Sequence, residues 1–206
     1  MLFSADQEKV TMYGLAIHTS SPDLGLAISD FESDRRLIVL DLGRDLSSSL
    51  HTHLLEFIKP QTWKDLDFIA VAIGPGGFTG TRIGVVAART LAQQLEIPLF
   101  GISSLGAIAH QHSGTIAVQM PAQRGELYTA IYQNGIALHS DSVQSAEQWA
   151  KRLEQHPIDQ QIEAGSNQGQ FVEEILAIAY QRLQKGERSH WSEALPYYGQ
   201  HPVEIG

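Results

Sequence analysis

Residues 67–104 read DFIAVAIGPGGFTGTRIGVVAARTLAQQLEIPLFGISS. The stretch from 67 to 74 is almost wholly apolar, the pattern of a strand buried on both faces. Four glycines follow within seven residues, Gly74, Gly76, Gly77 and Gly80, and a helix is predicted from about Thr79 to Leu95. PLFGIS, at 98–103, predicts another strand. Two readings of the glycine turn stand side by side. In the first, backbone N–H groups at the positive end of the helix dipole hold an anion; Gly76 and Gly77 allow its approach and Thr79 caps the helix. In the second, Gly80, Gly84, Ala87 and Ala88 form a stripe of small residues along which another helix approaches closely. Neither standard phosphate motif is present: no Gly-Lys-Ser/Thr ends the turn, and G-x-G-x-x-G would need glycine at Thr79.

Upstream, YGLAIHTS (13–20), LGLAISD (24–30) and RRLIVLDLG (35–43) read as three strands joined by short turns, an antiparallel meander. The stretch 47–58 has Leu50, Leu54, Leu55 and Ile58 at helical spacing, with a serine cap expected and Pro60 as the stop. SLGAIAHQH, after the strand at 98–103, predicts a short helix. Downstream, the order of elements repeats. TIAVQMPA (115–122) and GELYTAIYQ (125–133) read as strands, and Asn134-Gly135 turns the second into IALHSDS. A helix capped by Ser145, a strand at QIEAGS and a long helix closed by Gly186 complete the chain. Three antiparallel strands followed by alternating helices and strands, used twice, is the plan of the actin-like, ribonuclease-H-type α/β folds. The expected division is a possible extension over 1–11, a first subdomain over 12–108 and a second over 109–206.

Composition narrows the function. A formal charge of −9 without any basic run disfavours unaided binding to nucleic acid, unless folding gathers a local patch. The absence of cysteine excludes disulfides, thiolate metal sites and cysteine nucleophiles, and fits a reducing compartment. No apolar run is long enough to span a bilayer, and MLFSADQEKVTMYG lacks the layout of a signal peptide, so the cytoplasm is the expected location, with no membrane partner.

Residues 74–105 are similar, almost position by position, to the hallmark of the TsaB (YeaZ) family, G-P-G-S-F-T-G-x-R-I-G followed by I-P-x-x-G-V-S-S-L, with Gly77 where serine is common. RGELYTA (124–130) resembles the family's R-x-G-E-V-Y segment, and LPYYGQHPV its C-terminal proline-tyrosine stretch. The resemblance implies an actin-like fold and a non-catalytic role in making threonylcarbamoyladenosine in tRNA. It implies pairing with a TsaD-type catalytic subunit, engagement of a TsaE-type ATPase, a homodimer when alone, and contact with tRNA only through those partners. The pairing surface implied lies on the first two helices, 47–58 and 79–95. Its candidates are His53, Leu54, Phe78, Gly80, Arg82, Ile83, Gly84, Val86 and Ala87. The resemblance thus favours the packing reading of the small-residue stripe.

A catalytic reading finds little to build on. Actin-like phosphotransferases place an aspartate at the end of the first strand to hold Mg²⁺ through water; His18 stands there, and neutral imidazole suits Mg²⁺ poorly. The family's D-A-R before Gly-Glu is Pro121 to Gln123 here. His51 with His53, and His110 with His112, are two apart and point to different helix faces, so no metal site is expected. No G-x-S-x-G elbow supplies a serine nucleophile. Glu126 with Tyr128 reads as a strand-face pair, Trp63, Trp149 and Trp191 as packing residues, and Tyr197 with Tyr198 as a docked tail. The expectation is no catalytic residue, no metal and no cofactor. The alternative is a nucleotide-dependent phosphotransferase using the glycine turn.

Overall fold

The computed structural model describes residues 11–197 and residue 199, so the expected extension over 1–11 lies, apart from Thr11, outside the described residues, as does Tyr198. β1 (Tyr13–His18), β2 (Asp23–Ser29) and β3 (Arg35–Asp41) form the meander, and α1 (Leu46–Phe57) follows. β4 (Leu66–Ala72), α2 (Phe78–Leu95), β5 (Leu99–Ile102) and α3 (Ser104–His110) complete the first unit. Its sheet has the order β3-β2-β1-β4-β5, with β4 parallel to both β1 and β5. The second unit runs β6 (Thr115–Pro121), β7 (Leu127–Gln133), β8 (Ile136–Gln144), α4 (Ala146–Leu153), β9 (Gln160–Glu163) and α5 (Val172–Gln184). Its sheet order is β8-β7-β6-β9, with β9 parallel to β6. The two sheets share one topology, a meander extended by parallel strands on the side of its first strand.

The apolar run over β4 is explained by its neighbours. Ile69 and Val71 join Leu15 and Ile17 under α1 and α2, while Phe68, Ala70 and Ala72 join Ala16 under α5 on the opposite face. With helices on both sides, no strand position faces water, so alternation disappears. β3, at the edge, alternates exposed and half-buried residues along its length.

The units exchange helices. α3 comes from the first, yet Leu105, Ile108 and Ala109 pack with Ile116 and Val118 of the second sheet. α5 comes from the second, yet Val172, Ile175, Leu176 and Ala179 cover the first sheet. Trp149 of α4 closes the remaining face over Ala117 and Ile131. The units are thereby held by shared cores.

Local signals act largely as expected. Ser145 caps α4 in a reciprocal capping box with Gln148. Asn134 and Gly135 both take positive φ in the β7–β8 hairpin, and Gly186 does so after α5. The serine cap expected for α1 is not used: the helix begins at Leu46, with Asp45 at the N-cap position and no side-chain cap bond. Ser48 and Ser49 instead donate back to the carbonyl of Asp45.

Candidate functional site

The glycine turn packs against the segment that follows β1. Gly77 N–H donates to the carbonyl of Ser20 at 2.7 Å. A Cβ built on Gly76 would overlap Ser20, so this glycine is required by close approach. Gly77 itself is the N-cap of α2, which starts at Phe78 without a side-chain cap bond. Thr79 is therefore not the cap, and the N–H of Gly77 is already engaged by its own chain. Among the anion candidates, Gly77 and Thr79 are exposed and Gly76 is half-buried, and all three line a cleft.

The small-residue stripe also faces inward. A Cβ on Gly80 would overlap the carbonyl oxygen of Thr19, and one on Gly84 the Thr19 hydroxyl. Thr19 Oγ1 donates to the carbonyl of Gly80 at 2.8 Å. Gly80 and Gly84 are thus occupied by the end of the first strand, which corrects the expectation that they seat a neighbouring subunit's helix. Leu54 is corrected too: at 5% exposure it belongs to the first core, because α1 turns that side toward the sheet. Its neighbour Leu55 is 52% exposed, and His53 is half-buried. The outward row of α2 is Phe78, Arg82 and Val86, four residues apart, with Phe78 55% and Val86 60% exposed. The Arg82 guanidinium sits 5.4 Å from the Phe78 ring centroid. Ile83 and Ala87 are half-buried against the first core.

Between the sheets lies a cleft of about 1620 Å³. One wall comes from residues 19–22, the turn before α1 and the start of α2; the other comes from residues 120–124, Tyr128, 164–166 and Gln168. Tyr197 crosses between them. Its N–H donates to the carbonyl of Ile73 at 2.7 Å and its hydroxyl to the carbonyl of Asp141 at 2.9 Å.

His18 ends β1 at 0% exposure, and neither ring nitrogen has a hydrogen-bond partner among the described residues. Burial lowers its pKa to about 4 against the opposing pull of Asp23, so the ring is neutral near pH 7. Asp23 in turn accepts from Gly169 N–H at 2.7 Å. Among the described residues, no group of three or more His, Asp or Glu comes together as a metal site. His51 is exposed, and the ring of His110 pairs with Gln181 at 3.1 Å. Burial also raises the Tyr128 phenol, with Glu126 adding to the effect. Sequence reasoning missed the Asp141 cluster and the arginines of the cleft, Arg44 and Arg124. Asp141 meets Tyr132 across nine positions but Ser103 across 38, Arg44 lies in no motif, and RGELYTA contains Arg124 without saying that it faces a cleft.

Two sheets of one topology with a cleft between them define an actin-like protein. Residues 52–190 match the family described as TsaD: tRNA N6-adenosine threonylcarbamoyltransferase. The chain is 37% identical over 129 residues to the tRNA threonylcarbamoyladenosine biosynthesis protein TsaB of Bacillus subtilis (strain 168), covering 59% of this chain and 56% of that protein. It is 39% identical over 80 residues to the Escherichia coli (strain K12) protein of the same name, 35% of each. The chain thus matches little more than half the length of the Bacillus relative. A Pseudomonas aeruginosa structure described as similar to peptidase YeaZ superposes with a TM-score of 0.74 at 22% identity, covering 92% of this chain and 99% of that one. The chain belongs to this family, in its TsaB (YeaZ) branch.

Proposed function

We propose that this chain is a non-catalytic subunit in the synthesis of threonylcarbamoyladenosine in tRNA, presenting a docking face to a TsaD-type catalytic subunit. The observation that carries this reading is the outward row of α2, where Phe78 and Val86 expose large apolar side chains. Large apolar groups exposed along one helix face favour a protein partner. The neutral, buried His18 at the end of β1 supports a partner role over phosphoryl transfer, since it offers no oxygen to a magnesium ion.

In this reading the same face closes a homodimer when the partner is absent. A TsaE-type ATPase joins the assembly, which works in the cytoplasm. The test is co-expression with the TsaD-type subunit from the same cell, followed by size-exclusion chromatography and an assay of threonylcarbamoyl transfer to tRNA. Wild-type chain co-elutes and stimulates transfer; Val86→Glu abolishes both and leaves thermal stability unchanged. Undiminished co-elution of the variant would refute the docking face.

A further inference from the structure

We propose that the cleft between the two sheets binds a single-stranded RNA segment directly. The proposal rests on the tRNA-modifying role above and replaces the indirect contact expected from sequence.

The first observation is charge. The chain carries −9 overall, yet the described lining of its main cleft contains Arg44, Arg82 and Arg124 and no aspartate or glutamate. Arg44 and Arg82 stand on the first-unit wall, at the turn before α1 and on α2; Arg124 stands on the opposite wall, between β6 and β7. Among the described residues, Arg44 and Arg124 form no ion pair and no side-chain hydrogen bond. A ligand lying along the cleft is met by guanidinium groups from both sides; the carboxylates of Glu126 and Asp141 act on Tyr128 and Tyr197 from behind the lining.

The second observation is aromatic. Tyr128 and Tyr197 line the same cleft, apart from Phe78, which belongs to the docking row of α2. Tyr197 is held in place by its bonds to Ile73 and Asp141, so its ring costs little entropy to use. Arginines that follow a phosphodiester backbone, interleaved with rings on which bases stack, are the chemistry of single-strand recognition. A duplex hides its base faces in the stack and cannot use those rings. The interleaving is made by the fold: Arg44, Arg124, Tyr128 and Tyr197 come from the turn before α1, the turn after β6, β7 and the C-terminal segment, and form no continuous basic-aromatic run in the sequence.

The test is fluorescence anisotropy with a labelled single-stranded oligoribonucleotide of mixed sequence, using the full chain with its co-expressed catalytic subunit. The variant is Arg44→Gln with Arg124→Gln, neither on the outward row of α2. The wild-type complex binds saturably and prefers the single strand over a hairpin duplex of the same composition. The double variant weakens binding about tenfold or more at low salt, and flattens the dependence of log K on log salt by about 1.4, roughly 0.7 per lost phosphate contact. Unchanged affinity and slope, no saturable binding by the wild-type complex, or equal competition by free ATP would each overturn the proposal. Co-elution of the subunits is read in the same samples. Its loss in the wild type counts against the docking face, whereas intact co-elution with arginine-independent binding counts against the cleft alone.

Discussion

Ser103 Oγ donates to Asp141 Oδ1 at 2.9 Å, joining the corner between β5 and α3 to the edge strand of the second sheet. Ser103 is also the N-cap of α3, its Oγ accepting from Gly106 N–H at 3.0 Å. Tyr132 points its hydroxyl at the same carboxylate oxygen from 3.4 Å, and a Cβ on Gly106 would intrude on that hydroxyl. With Tyr197 on its carbonyl, Asp141 gathers both units and the C-terminal segment at one point. Burial pushes its carboxyl up to about 6, although both hydroxyl donors favour the charged form.

That carboxyl sets the first prediction. Its folded pKa lies above the unfolded value near 4, so the fold prefers the neutral acid. The resulting stability is full below about pH 4 and is lost as pH rises through about 6. Asp141→Asn keeps an acceptor for Ser103 and removes the charge. At about pH 7.5 the variant should be more stable than wild type by on the order of 1–3 kcal/mol, and near pH 4 the difference should vanish. Calorimetry at the two pH values decides; parallel curves would contradict it.

His18 works in the opposite direction. Its folded pKa of about 4 is below the ordinary 6.5, so its contribution is present above about pH 6.5 and lost as pH falls toward 4. His18→Leu replaces two unpartnered nitrogens with a side chain of similar bulk. The unfolding free energy from urea denaturation near pH 7.5 should fall by no more than about 1 kcal/mol, or rise. Between about pH 6.5 and 4 the variant should lose less stability than wild type. A variant as acid-sensitive as wild type would remove His18 from the explanation.

Gly84 is predicted to be a folding residue. Gly84→Val would drive a branched side chain into Thr19 and disturb the bond from Thr19 to Gly80. The expected cost is about 2 kcal/mol or more, read from chemical denaturation of the isolated chain. Normal stability combined with lost subunit pairing would restore the partner reading of the stripe.

Gly77 should behave differently. It is exposed, its φ of −63° suits any residue, and the nearest atom to a built Cβ is the Ser20 carbonyl oxygen at 3.6 Å. Gly77→Ser would supply the missing side-chain cap of α2 and restrict the unfolded chain. A gain of about 0.3–1 kcal/mol is expected from thermal unfolding. A fall in stability would show that glycine is needed there for a reason other than backbone freedom.

Much of the fold was legible because its signals are local. The strand over β4 follows from an apolar run, the hairpin from Asn134-Gly135, and α4 from the Ser145–Gln148 box. The doubled meander-and-helix order pointed to the actin-like plan, and the run from Gly74 to Leu105 to the family. The helical pattern of α2 also separated large from small residues. It did not say which side faced a strand end of the same chain.

The sequence alone determined which segments are strands and helices, because side chains repeat every two residues in one and every 3.6 in the other, whatever the surroundings. Tertiary structure alone decided that α3 covers the second sheet and α5 the first, since an apolar helix face carries no label for the sheet it meets. It also decided that Thr19 fills the groove of Gly80 and Gly84, and that Arg44, Arg82 and Arg124 line one cleft. Those residues lie tens of positions apart, and only the path of the folded chain brings them together.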